Sequence, residues 1–283
     1  MEARHVEEAV FKVLMIVATL IVAASLGTVL LVVLSKGIPA FTLDMITRLP
    51  EGGYYIGKGG GILNAIVGSL CLGIGATTAA LVLSLPLAFY LQREYSAGTR
   101  LAYLTRLSLD VMWGVPSIVY GAFGFAVMLY LGLRASLLGG IIALTLVELP
   151  IMARAFHEVM RMVPIDLKEA SYALGATRLE TGMKVIWRYA LPGIVTGVLL
   201  AFGRGIGDAA AVLFTAGYTD SLPRSLVEPV ASLPLAVFFQ IGTPFPKVQE
   251  RAYASAAVLL AIVLLLSLLS RLLARRWESY IPR

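Results

Sequence analysis

Of the 283 residues, 59% are hydrophobic and only 14% charged, and the mean hydropathy is +0.86. A soluble domain of this size does not carry such a balance, so the chain reads as an integral membrane protein. The formal net charge of +6 is no sign of nucleic-acid binding, because Lys and Arg gather at the ends of apolar stretches rather than on one patch. Cys71 is the only cysteine, which excludes an internal disulfide, and His5 and His157 are too isolated to predict a metal site.

A bilayer core takes roughly 20 apolar residues per helix. Six stretches meet that length: Val13–Leu34, Ile62–Leu91, Val111–Leu133, Ala135–Ala153, Tyr189–Ala216 and Ala252–Ser270. The first is too long for the core of a cleavable signal, so no targeting segment is expected. The second carries Pro86 near its inner end. The third contains Gly114-Val115-Pro116-Ser117-Ile118-Val119-Tyr120-Gly121, which predicts a proline-kinked helix whose Ser117 and Tyr120 line a path or bond across helices. The fourth holds Glu148 two residues before Pro150, and the fifth holds Arg204 and Asp208.

With the N-terminus inside, 15 Lys and Arg fall on inner segments and 7 on outer ones, leaving Arg204 within the membrane. This bias places both termini, and the loop over residues 154–188, in the cytoplasm. Pro229–Pro246 is also uncharged, but its four prolines argue against a seventh crossing, so a re-entrant or interfacial segment on the outer face is expected. No internal duplication is evident. Six crossings scarcely enclose a substrate path alone, so a second permease subunit is implied.

Two stretches carry the chemistry. In the cytoplasmic loop, Pro164 and Asp166 suit the start of a short helix, and Leu167, Ala170 or Ser171, and Leu174 share one face. Gly175 suits a left-handed helix end, and Thr177-Arg178-Leu179-Glu180 has capping-box spacing for a second short helix. Such a knob is built to dock into a groove on another protein. In the fifth stretch, Gly203-Arg204-Gly205-Ile206-Gly207-Asp208 buries two charges among glycines. At about 1.5 Å per residue, Arg204 lies about 22 Å from the inner end, near midplane. Its guanidinium fits a tetrahedral oxyanion, and Asp208, one turn on, can accept a hydrogen bond from hydrogen phosphate. Glu148 is a further candidate for the path, pairing with Arg204 or with an arginine of the partner subunit, or lying at a helix turn widened by Pro150. Gly193 and Gly197 predict close helix packing. Gly52-x-x-x-x-Gly57-Lys58 falls one hydroxyl short of a phosphate-binding P-loop and lies on the outer side. No nucleotide site, nucleophile–base pair or metal cluster is expected, so the chain is not read as an enzyme.

Glu169-Ala170, with Gly175 six residues after Glu169, and Leu174-Gly175-Ala176-Thr177-Arg178 resemble the coupling loop of ABC importer permeases. The Leu-Pro that ends the family pattern is matched only at Leu191-Pro192. Added to the Pro116 and Arg204 stretches, the resemblance is to phosphate importer permeases of the PstA type, from about residue 60 onward. That family continues Gly-Glu-Thr-Ala-Pro where Gly207-Asp208-Ala209-Ala210-Ala211 stands here.

The resemblance implies an all-α fold of the type I ABC importer permease kind. Glu169, Ala170, Gly175, Ala176, Thr177 and Arg178 would be the ATPase-coupling residues. It implies a PstC-like permease partner, a cytoplasmic PstB-like ATPase dimer carrying ATP and Mg, and an extracytoplasmic PstS-like phosphate-binding protein. The expected location is the cytoplasmic membrane and the expected cargo is inorganic phosphate. The rival readings are another oxyanion such as phosphonate, molybdate or sulfate, and a channel or ion-driven carrier working without an ATPase.

Overall fold

A computed structural model describes residues 2–52, 55, 57, 59–92 and 99–278. Within them the chain is helical, apart from one isolated antiparallel bridge between Pro50 and Gly60. Five helices are long and apolar enough to cross a bilayer, or six if one bent pair forms a single crossing.

The first apolar stretch lies within α1, Glu2–Ala40, whose side chains from Val10 to Val29 are exposed. It meets the bundle at its far end, where Lys36 stands 4.9 Å from the centre of the Tyr253 ring. A Cβ on Gly37 would fall 2.6 Å from the Tyr253 carbonyl oxygen, so glycine permits this approach. A short helix, α2, Leu43–Thr47, is capped by the Thr42 hydroxyl. Then α3, Leu63–Tyr90, runs through the middle of the molecule.

The third stretch departs from the expectation. It is not one kinked helix but two, α4 (Arg100–Gly114) and α5 (Ser117–Tyr130), bent by 101°. Val115 and Pro116 are extended between them. The residue before a proline is pushed out of the helical region, and here that restriction breaks the helix outright. The Tyr120 hydroxyl donates to the Met112 carbonyl at 2.8 Å, bracing the corner.

α6, Leu137–Arg161, is capped by Ser136 and extends beyond the predicted 135–153. The docking-loop helix α7 covers Ile165–Ala173, with Pro164 just before it rather than as its first residue. The second helix of the loop is not short. It starts at Arg178 and runs unbroken to Ile206 as α8, so loop and membrane segment are one rod. Gly182–Ile186 within it is a π-helical turn. The predicted continuation to residue 216 is also corrected: Ile206 is the last helical residue, and residues 207–216 turn back into the bundle. There the Asp208 carboxylate accepts from the Ala211 N–H at 2.9 Å, trading helix for a side-chain turn. The proline-rich segment forms α9, Leu233–Ile241, buried along its first half and capped by Ser232. α10, Pro246–Glu278, closes the fold.

In lipid, helices associate through packing rather than exclusion of water, which favours small residues at their contacts. Gly193 and Gly197 behave as expected, lying against Val159 and against Ala155 and Phe156 of α6. Gly73 of α3 faces the Phe202 ring of α8, and Gly140 of α6 faces Leu72 of α3. These approaches put α3, α6 and α8 at the centre. One buried cluster around Leu72, Leu144 and Val212 and another around Met152, Phe156 and Ile194 fill the space between.

Candidate functional site: a buried charged centre and an exposed docking knob

Arg204 sits in the last turn of α8 and its Nη1 donates to Asp208 Oδ2 at 2.6 Å. The two side chains differ sharply in exposure, 49% for Arg204 and 3% for Asp208. Asp208 has left the helix but still faces Arg204, because its N–H bonds the Gly205 carbonyl at 3.0 Å in a final tight turn. The carboxylate is thus fixed from both sides, by Arg204 on Oδ2 and the Ala211 N–H on Oδ1. The guanidinium has five donors and bonds Asp208 through Nη1, leaving a half-exposed fork suited to an oxyanion.

Glu148 lies at this centre but does not pair with Arg204. It is fully buried, and its Oε2 accepts from the Thr77 hydroxyl of α3 at 2.8 Å. Its Oε1 has no hydrogen-bond partner and points at Gly205, where a Cβ would come within 1.8 Å. Gly205 is therefore glycine because a carboxylate occupies the space of its side chain. Thr77 carried no sequence signal beyond being a hydroxyl inside an apolar stretch, and reading the sequence missed it.

The Pro116 motif reaches the same neighbourhood through backbone. A Cβ on Gly121 would fall 2.7 Å from the Ala210 carbonyl oxygen and 2.8 Å from that of Ala211. α5 therefore packs directly on the turn that Asp208 caps. Tyr120 packs at the edge of the adjoining buried cluster, and its hydroxyl bonds across from α5 to Met112 of α4. Ser117 opens α5, half-buried.

A second polar cluster, also missed, joins three segments distant in sequence. The Tyr55 hydroxyl donates to Asp220 at 2.5 Å, Asn64 donates to the Thr219 carbonyl at 2.7 Å, and Gln240 donates to the Tyr218 hydroxyl at 3.3 Å. The Tyr218 ring meets Phe239 edge-on at 5.2 Å. Burial, reinforced by Asp220, pushes the Tyr55 phenol far above its ordinary range, and burial also raises Tyr218. Both stay neutral and serve as hydrogen-bonding braces.

The knob is built from local rules. Gly175 takes φ +80, and the Gly175 and Ala176 N–H groups bond the carbonyls of Tyr172 and Ser171 at 2.9 and 3.2 Å, closing α7. Thr177 and Glu180 then form a reciprocal capping box: the Glu180 N–H bonds the Thr177 hydroxyl at 3.3 Å, and the Thr177 N–H bonds the Glu180 carboxylate at 2.9 Å. The Ser171 and Thr181 hydroxyls, 2.9 Å apart, tie α7 to α8. No residue of α7 is buried. Glu169, Ala170 and Arg178 are exposed, Ala176 is half-buried, and Leu174 and Leu179 stand 89% and 67% exposed at the tip. Apolar tips on a polar, rigid loop present a surface for another protein.

A profile for the binding-protein-dependent transport system inner membrane components matches residues 80–279. The chain belongs to that family. Among its curated relatives, the phosphate transport system permease protein PstA of Haemophilus influenzae is 33% identical over 86% of this chain and 85% of its own length. The Yersinia pestis protein of the same name is 34% identical over 84% and 80%. PstA 1 of Mycobacterium tuberculosis strain CDC 1551 / Oshkosh is 36% identical over 74% and 69%. Inward-facing structures of the MetNI methionine ABC transporter share the fold, with a TM-score of 0.63 at 18% identity over 76% of this chain and 95% of that one. A structure of an amino acid ABC transporter with histidines gives 0.61 at 18% identity, over 76% and 93%. The chain is thus a multi-pass permease component of the ABC importer kind, with PstA proteins among its relatives.

Proposed function

We propose that this chain is the permease subunit of an ATP-driven importer that carries inorganic phosphate across the cytoplasmic membrane. The observation that carries this reading is the relationship to PstA phosphate permeases over more than four-fifths of the chain. The charged centre supports it. Arg204 offers a planar set of donors, and Asp208 offers a carboxylate that can accept a hydrogen bond from hydrogen phosphate, whereas sulfate at neutral pH has no proton to give. In this reading a PstC-like subunit completes the path, a PstB-like ATPase dimer carries ATP and Mg, and a PstS-like protein delivers the anion from outside. Both termini and the knob lie in the cytoplasm.

Closure of the ATPase dimer would move α7, and α8 would transmit that motion to Arg204 without an intervening loop. The anion would compete with Asp208 for the guanidinium, held briefly and then released. The test is phosphate uptake and ATP hydrolysis by the reconstituted complex carrying Arg204→Gln. Losing a charge-assisted contact costs about 1.5–3 kcal/mol, so uptake should fall about tenfold or more while the complex still assembles. Unchanged uptake would remove Arg204 from the path. Competition by phosphonate, molybdate or sulfate equal to that by phosphate would transfer the reading to another oxyanion.

A further inference from the structure

A second place in the molecule is built for an anion, at the opposite end of the bundle from the Asp208 turn. α4, the last turns of α6 and the start of α7 enclose a cleft of about 970 Å³. Its lining carries four cationic side chains, Arg106, Arg154, Arg161 and Lys168, against two carboxylates. The carboxylates are already engaged. Asp110 pairs with Arg154, which also lies over the Trp113 ring, and Glu158 stands 3.6 Å from Arg161. Arg106 donates from Nη2 to the Leu91 carbonyl at 3.1 Å, which anchors one edge of its guanidinium at the cleft wall.

His157 adds a neutral donor. Gln92, 1% exposed, bonds the Ala88 carbonyl through Nε2 at 3.1 Å and meets His157 Nδ1 at 3.3 Å. An amide nitrogen only donates, so Nδ1 must accept and the ring proton sits on Nε2. Among the described lining residues the cations outnumber the carboxylates, and the His157 imidazole stands beside them with apolar Leu109, Val163 and Ile165. That set suits a phosphate group.

We propose that this cleft binds a phosphate group at the cytoplasmic face, either the headgroup of an anionic phospholipid or free inorganic phosphate. The inference takes the orientation of the knob from the proposed function but not the role of Arg204. Because Ile165 and Lys168 belong to α7, a bound phosphate group would join α4 and α6 to the docking helix and restrain it.

The test uses the transporter complex without its binding protein, purified in phosphate-free buffer and an uncharged detergent. Thermal unfolding is followed with inorganic phosphate, with phosphatidylglycerol, and with phosphatidylcholine as control. Wild type and Arg204→Gln should both gain about 5 °C at saturation, since ligand bound only to the folded state stabilises it. The Arg106→Gln/Arg161→Gln double variant should lose at least half of that gain. Its Lys counterpart, which keeps the charge but not the fork, should lose less. A response to phosphate alone identifies the free anion, and one to phosphatidylglycerol alone identifies the lipid. No response to either, an equal response in the double Gln variant, or a response abolished by Arg204→Gln would each overturn the site. Failure of wild type to import phosphate would instead strike the cargo reading and leave this one standing. Labelling of Lys168 from outside intact cells would strike the orientation.

Discussion

The continuous helix α8 links the knob to the charged centre, and the two are built on opposite principles. Around Gly175 and Thr177 the hydrogen bonds span ten residues or fewer, and Leu174 and Leu179 face outward. Around Glu148 and Gly205 the contacts join α3, α6 and α8, and no side chain has room to spare. The knob is held by local bonds and leaves Leu174 and Leu179 exposed. The centre exists only when three helices are in place. Substitutions should therefore separate the two regions: those at the centre act on stability of the whole, those at the knob on engagement with the ATPase.

The largest effect is expected from Gly205→Ala. A methyl group placed 1.8 Å from the Glu148 carboxylate forces helices apart, and overpacking of this kind costs about 1–3 kcal/mol or more. A marked fall in unfolding temperature in detergent should result. Adding Glu148→Ala should recover part of it, and no recovery would mean that the two residues are not in contact. Asp208→Ala comes next. It removes both the partner of Arg204 and the acceptor for the Ala211 N–H, at a cost of about 2–3 kcal/mol. If unfolding and uptake are unaffected, the ion pair has no structural weight. Gly175→Ala strains a left-handed position by about 1–2 kcal/mol. Here the readout is ATPase recovered with the purified permease, which should drop while the unfolding temperature of the bundle barely changes. The smallest effect belongs to Thr177→Ala, about 1 kcal/mol from the lost cap, detectable as faster exchange of the Glu180 amide.

The same contrast explains what could be read from the chain alone. The capping box and the Gly175 helix end follow from neighbours in sequence, and they stand where the pattern put them. The break at Pro116 was visible as a proline, but its 101° bend depends on how α4 and α5 pack, which no local rule supplies. The end of α8 at Ile206 was hidden because residues 207–216 are as apolar as the helix before them. What ends it is one carboxylate preferring a backbone N–H. Thr77 and Gly205 acquire meaning only through Glu148, more than 50 residues from either. Burial of a charge could be inferred, but the identity of its neighbours could not.

The π turn at Gly182–Ile186 has one more consequence. Each residue of an α-helix advances the chain by about 100° around the axis. A turn holding one extra residue sets the angular phase between the Thr177 cap below and the Arg204 fork above. Removing a single residue there would leave an ordinary helix, yet it would spin the knob by more than a quarter-circle relative to the membrane. The wide turn thus sets the direction in which the knob faces relative to the charged centre.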